Sequence, residues 1–370
     1  MKFFEYGMGN HSRILSEGSG SKAHDQSRKM RLDEFDYPLD SRLIAQSPCE
    51  RRDRARMMIV DRDRSSIEDD FFYNLAENLK AGDVLVVNDT KVIPAKLTGR
   101  KLTGGNIEIL LLSKREGRCW EVLLKPGRRA RIGLDIFFED GSQAKILERL
   151  SDRKWILEFR VEKDFEDFLD RCGTAPLPPY IKRSRIQAAS RQDLDRYQTV
   201  YAKVPGSVAA PTAGLHFTED MMAALKSGAI EIVPVTLHVG YGTFLPIEAE
   251  FVEEHRMEEE FFEISKEAAE AINRASRVIA VGTTSTRVVE TASDDSGRVE
   301  PRCGFTGLYI YPGYRFKRVG GLVTNFHLPK SSLFLLVCAF AGRELIRSAY
   351  RRAAEEKYRF YSYGDCMLIL

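Results

Sequence analysis

Short apolar runs alternate with polar, glycine-rich segments along most of the chain, and the period of this alternation changes twice. Residues 57–60 and 84–87 are continuously apolar, which predicts two buried strands. Between them, apolar residues at helical spacing predict a helix over 69–80, capped by Asp69 or Asp70. The first part of the chain is therefore expected to combine strands with a helix.

A different period begins at Val92. Short β-type runs alternate with glycine-rich or charged turns up to about residue 161, which predicts a small all-β barrel inserted over 92–175. Strands of this barrel are expected at 107–112, 119–124, 136–138 and 155–161. A short helix is predicted at 165–169, and the proline-rich segment 176–180 is expected to be a rigid, extended linker.

Helices and strands alternate again from residue 176 to the last residue. This pattern predicts an α/β domain with a mostly parallel or mixed sheet, formed by 30–91 and, mainly, by 176–370. The apolar run 333–341 follows two serines, which predicts the start of a buried helix. Residues 1–29 lack hydrophobic periodicity, and we expect them to be a disordered extension.

The composition excludes several classes of protein. The chain has 370 residues, 43% hydrophobic and 30% charged, as in a soluble globular protein of more than one domain. Its longest apolar run is too short to span a bilayer, so no membrane partner is expected. A net charge of +2 means that any RNA contact must come from local basic clusters. The six cysteines lack metal-binding or redox spacing, which is typical of reduced thiols in a cytoplasmic protein.

Four loops carry the chemically most informative side chains. Each places a hydroxyl and a histidine or arginine beside an apolar run, and the first three also contain glycine; the loops are 211–217, 238–244, 282–287 and 324–329. Glycine lets backbone N–H groups approach a ligand, and the polar side chains can orient it. Because ligands of α/β sheets bind where strands end, we expect the four loops to form one site.

Four residues are candidate catalytic acid–base groups. Three are loop histidines, His216, His238 and His327, and the fourth is Asp89, in an Asn-Asp pair directly after the apolar run 84–87. Each has a structural alternative, since buried imidazoles often bond to backbone and Asn-Asp pairs often form turns. Three histidines in similar loops favour a chemical role for at least one of them.

The same loops supply candidate substrate-binding residues. Residues 282–287 lead into a helix predicted to begin near Thr286, and a helix amino terminus binds carboxylate or phosphate groups, although a capped helix without ligand is the alternative. A cation in that first turn opposes the helix dipole, which favours an acidic ligand or partner. The candidates are Asn88, Lys91, Thr212, Gly214, Gly240, Gly242, Thr243, Gly282, Thr283, Thr284, Ser285, Arg287 and Asn325.

Three basic clusters are candidate RNA contacts. They are Lys125, Arg128, Arg129 and Arg131; Lys182, Arg183 and Arg185; and Arg343, Arg347 and Arg351, spaced by four as one helical stripe. Aromatic residues lie near several of these cations, a combination that suits an unstacked RNA loop. Solvated charged faces are the alternative interpretation of all three.

Taken together, the motifs closely resemble those of the S-adenosylmethionine:tRNA ribosyltransferase-isomerases of queuosine biosynthesis. The resemblance runs from about Phe35 to the last residue. Its motifs include Phe35-Asp-Tyr-Pro-Leu, Val87-Asn-Asp-Thr-Lys91, Val208-Ala-Ala-Pro-Thr-Ala-Gly-Leu-His-Phe217, His238-Val-Gly-Tyr-Gly-Thr-Phe244, Val281-Gly-Thr-Thr-Ser285, Thr324-Asn-Phe-His-Leu-Pro329 and Ser362-Tyr-Gly-Asp365. The last motif adds Tyr363 and Asp365 to the candidate substrate-binding residues.

The resemblance implies a β-barrel joined to an α/β domain in a cytoplasmic enzyme without metal. In that family the ribosyl part of S-adenosylmethionine is transferred to 7-aminomethyl-7-deazaguanine at the tRNA wobble position and rearranged, giving epoxyqueuosine and releasing adenine and methionine. S-Adenosylmethionine is thus consumed as a cosubstrate, and no cofactor is expected. The expected partners are this cosubstrate and a tRNA with a modified wobble guanine, bound by a monomer.

Two rival functions remain open at the level of sequence. A non-catalytic RNA-binding protein would need the basic and aromatic residues but would give no reason for three loop histidines. A methyltransferase using the same cosubstrate should carry a glycine-rich loop after its first strand, and the chain has no complete GxGxxG motif.

Overall fold

Two β-sheets organise the computed structural model, which describes residues 29–162, 164–183, 191–244 and 246–370. Residues 1–28 of the expected extension, and Arg185 of the second basic cluster, lie outside the described residues. One sheet has nine strands, and the other has seven strands and contains the barrel. A short parallel pair, β4 with β12, is the third and smallest β-structure.

The strands are β1 (Arg56–Asp61), β2 (Ser66–Phe71), β3 (Asp83–Asn88), β4 (Thr90–Val92), β5 (Lys96–Lys101), β6 (Asn106–Lys114), β7 (Cys119–Lys125), β8 (Asp135–Phe137), β9 (Gln143–Arg149), β10 (Lys154–Arg160), β11 (Gly173–Thr174), β12 (Val204–Ser207), β13 (Glu231–Leu237), β14 (Glu260–Ile264), β15 (Arg277–Val281), β16 (Arg302–Thr306), β17 (Val319–Asn325) and β18 (Cys366–Ile369). The α-helices are α1 (Phe165–Cys172), α2 (Arg191–Arg196), α3 (Glu219–Ser227), α4 (Lys266–Arg274), α5 (Gly282–Ala292), α6 (Ser332–Ala341) and α7 (Arg343–Glu355).

The large sheet is mixed, with the order β16-β14-β13-β3-β15-β17-β18-β1-β2. Its four central strands, β13, β3, β15 and β17, run parallel, whereas β14, β16, β18 and β2 pair antiparallel with their inner neighbours. Every residue of β3 is buried, and β1 lies where the run 57–60 predicts it. Both early strand predictions are therefore confirmed. The parallel centre brings the carboxyl ends of β3, β15 and β17 to one edge.

The smaller sheet closes into an antiparallel barrel of the six strands β5-β6-β7-β10-β9-β8, because β5 also pairs with β8. Alternate residues of β6, including Ile107, Ile109 and Leu111, are fully buried inside it. The pattern of apolar runs identifies four of these strands but misses β5 and β9, which read Lys-Leu-Thr-Gly-Arg-Lys and Gln-Ala-Lys-Ile-Leu-Glu-Arg. In these two strands the barrel-facing residues are few and their neighbours are charged.

Two predicted helices differ from the observed ones. Residues 69–71 complete β2, and the helical turn after them is a 3₁₀ helix, Phe72–Asn78, so the predicted α-helix over 69–80 is wrong. The edge strand forms because it pairs with β1 along its whole length. Helix α5 begins at Gly282 rather than near Thr286, since the positive φ of Gly282 (91°) turns the chain directly from β15 into the helix.

The buried helix predicted after the serine pair is confirmed as α6. The hydroxyl of Ser331 accepts a hydrogen bond from the backbone N–H of Phe334 and thereby caps it. Within the described parts of the chain, no helix has the length and apolarity that crossing a membrane requires.

Candidate active site

A cavity of about 270 Å³ opens where β15 and β17 end. The loop before the 3₁₀ turn Thr212–His216, the amino terminus of α5, the end of β17 and the start of α6 surround it. It brings together residues of all four polar loops, the loop 238–244 through Val239. The predicted site residues in its wall are Thr212, Gly282, Thr283, Thr284, Asn325 and His327.

The amino terminus of α5 presents two kinds of hydroxyl. Those of Ser285 and Thr286 donate to the carbonyls of Val281 and Gly282, at 2.9 and 3.1 Å, and so belong to the helix itself. The Oγ1 atom of Thr284 is buried in the cavity wall and has no hydrogen-bond partner among the described residues. It is therefore placed to bond to a ligand.

Asn325, the last residue of β17, carries a second unpaired atom. Its Nδ2 donates to the Tyr361 carbonyl at 3.1 Å and to Nε2 of His216 at 3.3 Å. Its Oδ1 is buried and, within the described ranges, unpaired. The side chain is only 2% exposed, so water does not readily compensate that oxygen. Asn325 thus offers the cavity a fixed hydrogen-bond acceptor.

His327 is the candidate catalytic residue that lines the large cavity. Its Nε2 lies 2.7 Å from Oγ1 of Thr324, and its backbone N–H donates to the hydroxyl of Tyr350 at 3.0 Å. Burial lowers the pKa of this imidazole to about 3, so the ring is neutral at physiological pH. A neutral, oriented imidazole can accept a proton.

His216 lines a second, smaller cavity together with Arg52, Arg196 and Tyr363. Burial and then the charges of Arg52 and Arg359 lower its pKa to about 4. The His216 ring packs against Phe72, with centroids 5.1 Å apart. It therefore reaches the larger cavity through Asn325 rather than by its own ring.

His238 and Asp89 lie in neither of these two cavity walls. Nδ1 of His238 is 2.8 Å from Oγ1 of Thr90, and burial lowers the pKa of the ring to about 4. The carboxylate of Asp89 accepts from the Thr236 hydroxyl at 2.7 Å, and burial raises its pKa. These two contacts hold residues 89 and 90, at the start of β4, against residues 236 and 238, at the end of β13.

Several predicted substrate-binding residues have protein partners instead. Asn88 exchanges two hydrogen bonds of 3.0 Å with the backbone of Leu237, while Lys91 is exposed. The guanidinium of Arg287 forms a buried ion pair with Glu260, whose other oxygen accepts from the backbone N–H of Gly240 at 2.7 Å. The pairing with Glu260 removes the need for an acidic ligand at Arg287.

The remaining predicted substrate-binding residues lie outside the wall of the large cavity or outside the described residues. A side chain at Gly214 would collide with the Tyr201 hydroxyl, and one at Gly242 with the Glu258 carboxylate, so both glycines permit close packing. The carboxylate of Asp365 accepts from backbone N–H groups of Arg56 and Arg359, at 3.0 and 2.7 Å. Tyr363 lines the smaller cavity, and the side chain of Thr243 lies outside the described residues.

The described residues of the predicted basic clusters lie outside the walls of both cavities. Lys125, Arg128, Arg131 and Lys182 are exposed, and the side chain of Arg129 is outside the described residues. Arg183 pairs with Asp193 at 2.7 Å, and Arg343 pairs with Glu34 at 2.7 Å. Arg347 and Arg351 are exposed along α7.

The sequence-based prediction missed half of the polar wall of the large cavity. Tyr361 and Lys330 adopt positive φ angles of 73° and 57°, which are uncommon for residues other than glycine. Tyr361 also packs on Tyr180, with ring centroids 4.4 Å apart. The additional polar lining residues are Tyr180, Thr324, Lys330, Ser331, Tyr361 and Ser362. Backbone strain of this kind leaves no signature in a single sequence.

Comparison with known proteins places this arrangement in a family. A family model described as "Queuosine biosynthesis protein" matches residues 32–369. The chain is 57% identical to the S-adenosylmethionine:tRNA ribosyltransferase-isomerase of Syntrophus aciditrophicus and 50% identical to that of Caldanaerobacter subterraneus, covering 92% of this chain and 100% of each relative. The crystal structure of S-adenosylmethionine tRNA ribosyltransferase from Thermotoga maritima aligns with a TM-score of 0.50 and 35% identity, over 91% of this chain and 100% of that one. The chain belongs to the queuosine biosynthesis protein family.

Proposed function

We propose that the chain transfers and isomerises the ribosyl moiety of S-adenosylmethionine onto 7-aminomethyl-7-deazaguanine at the wobble position of a tRNA. The products are epoxyqueuosine in the tRNA, adenine and methionine. The observation that carries the proposal is the cavity at the ends of β15 and β17, where Oγ1 of Thr284 and Oδ1 of Asn325 are buried without partners. The name shared by relatives of up to 57% identity supplies the reaction class.

The two unpaired atoms support a ligand-binding role. A buried polar atom without a hydrogen-bond partner costs roughly 1–3 kcal/mol. A ligand that bonds to either atom removes this cost, which favours binding. The wall also contains apolar groups such as Ala210 and Leu333, which suit the flat face of a purine or the side of a ribose. Its volume of about 270 Å³ is appropriate for a nucleoside-sized ligand.

The amino terminus of α5 suits the anionic end of S-adenosylmethionine. The positive end of the helix dipole and the free N–H groups of the first turn stabilise a carboxylate. Gly282 and Thr283 lie in the cavity wall at this point. We assign the methionine carboxylate of the cosubstrate to this end of the cavity.

His327 is the best-placed proton acceptor of the four candidates, since its ring borders the cavity. A sulfonium acidifies the neighbouring C5′, and a neutral imidazole, unlike a protonated one, has the lone pair that can take this proton. In the tautomer with the proton on Nε2, the hydroxyl of Thr324 accepts it and Nδ1 remains free to receive a proton. His216, His238 and Asp89 then act as positioning residues in the surrounding layer.

Departure of adenine and the charge that develops on the sugar both require donors. Hydroxyls of Thr212 and Thr283, together with the α5 backbone N–H groups, border the cavity and can hydrogen-bond to a purine nitrogen or a sugar oxyanion. The packed pair Tyr180 and Tyr361 offers an aromatic surface for the incoming nucleobase. Because a wobble base already lies in a loop, extruding it costs little.

The remaining aspects of the function follow from the substrate. S-Adenosylmethionine is consumed as cosubstrate, so the proposal requires no additional cofactor. We expect a monomer that acts in the cytoplasm, where tRNA is modified.

Product analysis tests the proposed function. The purified protein is incubated with S-adenosylmethionine and a tRNA carrying the aminomethyl-deazaguanine, and the small molecules released are separated by chromatography. Adenine and methionine in equal amounts, with a corresponding mass increase of the tRNA, are expected. Release of S-adenosylhomocysteine would assign a methyltransferase instead, and tight RNA binding without any product would assign a binding protein.

A further inference from the structure

The smaller cavity, of about 20 Å³, borders the large one and is lined by two arginines, Arg52 and Arg196. Ser362 lies in the walls of both cavities. The hydrogen-bonded pair Asn325 and His216 lies between the two cavities, since Asn325 lines the large cavity and His216 lines the small one. Whatever occupies the small cavity is therefore a neighbour of whatever occupies the large one.

The two guanidinium groups have no carboxylate partner among the described residues. Arg52 donates to the carbonyls of Leu215 and Asp195, both at 3.1 Å. Arg196 donates to the carbonyl of Glu50 at 3.1 Å and to that of Cys49. These neutral oxygens fix the orientation of the two side chains but leave both positive charges uncompensated.

Two acidic side chains close in sequence to these arginines pair with other arginines. Asp193 pairs with Arg183 at 2.7 Å, and Asp53 pairs with Arg51 at 2.9 Å. Arg359, which adds a third cation close to His216, donates to the Ser47 carbonyl and to Sγ of Cys49. The wall of the small cavity is thus electropositive.

Two buried donors in this wall lack acceptors. Nε of Arg196 and the hydroxyl of Tyr363 are buried and, within the described ranges, make no hydrogen bond. Two unsatisfied donors beside two uncompensated cations favour an anion with several acceptor oxygens. The volume of about 20 Å³ holds roughly one water-sized group, so it admits one oxygen of an anion whose remaining atoms lie at the mouth, whereas a nucleoside does not fit.

We propose that this small cavity binds one backbone phosphate of the substrate RNA, adjacent to the nucleotide that enters the large cavity. Guanidinium groups match the geometry of phosphate oxygens, and phosphate contacts fix the register of a nucleic acid without reading its sequence. The inference rests on the proposed function for the identity of the RNA. It places the approach of the RNA on the side of Arg52 and Tyr363.

A phosphate-by-variant cycle tests the inference. Affinity for a fluorescently labelled anticodon stem–loop RNA is measured by anisotropy, using RNAs in which one loop phosphate at a time is an uncharged methylphosphonate. The protein variants are Arg52→Gln, Arg196→Gln and Tyr363→Phe. With wild type, one methylphosphonate beside the wobble nucleotide should weaken binding about tenfold, as loss of a charged hydrogen-bonded contact does. With Arg52→Gln or Arg196→Gln, the same methylphosphonate should have little further effect.

Three comparisons keep the test specific. Tyr363→Phe removes an unpaired hydroxyl without disturbing packing, so its affinities for the native RNA and for that methylphosphonate RNA should differ less than those of wild type. This variant keeps the test usable if an arginine variant folds poorly. Arg64→Gln changes an exposed arginine after β1, at the opposite edge of the sheet from Asn325, and should bind every RNA as wild type does. For each arginine variant the slope of log affinity against log salt should decrease by about 0.7.

Two outcomes overturn the phosphate site: wild-type affinities in all three variants, or losses that are the same for every methylphosphonate RNA. Adenine release by the wild-type protein is measured in parallel and depends on neither outcome. Failure of the proposed function and failure of the phosphate site are therefore distinguishable.

Discussion

Nδ2 of Asn325 lies 3.3 Å from Nε2 of His216, and this contact links the two cavities. Since the amide donates, Nε2 of His216 is the acceptor and the imidazole holds the amide in one orientation. In that orientation Oδ1 of Asn325 remains unpaired and available to a ligand. The neutrality of His216, whose pKa burial lowers to about 4, is what allows it to accept.

His216 should therefore be replaceable by a neutral acceptor. His216→Gln retains an oxygen that can accept from Asn325, and we expect its kcat to stay within about tenfold of wild type. His216→Phe has the ring but no acceptor, and its KM for S-adenosylmethionine should rise while kcat falls about a hundredfold. Steady-state adenine release measures both constants. Equal losses in the two variants would show that His216 does more than orient Asn325.

The unpaired hydroxyl of Thr284 should matter for ligand binding and not for folding. Thr284→Val removes a buried group that has no protein partner, so the free energy of unfolding should be unchanged or higher. Affinity for S-adenosylmethionine, measured by calorimetry, should fall about tenfold, which corresponds to the loss of about 1.4 kcal/mol. Thr286→Val is the matched control, because that hydroxyl bonds to the Gly282 carbonyl. Equal affinities in both variants would contradict a ligand contact at Thr284.

Breaking the ion pair between Arg287 and Glu260 should lower the free energy of unfolding strongly. Their side chains are only 3% and 5% exposed, so Arg287→Met leaves a buried carboxylate without its counter-charge. Urea denaturation should show a loss of about 3–5 kcal/mol. The double variant Arg287→Met/Glu260→Gln should recover at least half of that loss. A loss below about 1 kcal/mol in the single variant would contradict this role.

Three buried histidines should make the protein less stable in mild acid. Burial lowers the pKa of His327 to about 3 and those of His216 and His238 to about 4, whereas unfolding restores the ordinary value of 6.5. The unfolded chain then binds more protons, so the free energy of unfolding falls as pH decreases from about 6.5 towards 4. Each ring contributes a slope of up to about 1.4 kcal/mol per pH unit.

Urea denaturation at pH 7.5 and pH 5.5 measures this slope. Asp89 and Asp365 act in the opposite direction, because burial raises the pKa of each carboxyl group. The variant His238→Asn, which keeps an acceptor for Thr90, should show a smaller loss between the two pH values than wild type. Stability that is independent of pH, or the same loss in both proteins, would contradict the buried neutral state.

Much of the large cavity could be predicted from sequence because its parts follow strands of the parallel centre. Thr283 and Thr284 come directly after β15, while Asn325 and His327 come at the end of β17, and adjacent parallel strands place such residues side by side. Local pattern and position were sufficient there. The apolar run 333–341 was equally informative, since it forms α6 and the capping serine precedes the helix directly.

The rest depends on contacts between segments distant in the chain. Arg287 pairs with Glu260, and Asn88 bonds to Leu237, only once β14 and β13 have joined the sheet. Neither partner can therefore be predicted from the residues nearby in sequence. Arg52 and Arg196 line the same cavity although the entire barrel and linker sequence lies between them in the chain. The start of α5 was misplaced because Gly282 bends the chain through a positive φ angle that sequence periodicity does not reveal.

We expect adenine release from S-adenosylmethionine to take place in the cavity bordered by His327. Single-turnover adenine release is measured with saturating cosubstrate and modified tRNA, comparing wild type, His327→Gln and His216→Gln, each checked for an unchanged melting temperature. We expect at least a hundredfold loss in His327→Gln, as loss of general base catalysis gives, and a loss within about tenfold in His216→Gln. A wild-type rate in His327→Gln, or a hundredfold loss confined to His216→Gln, would contradict it.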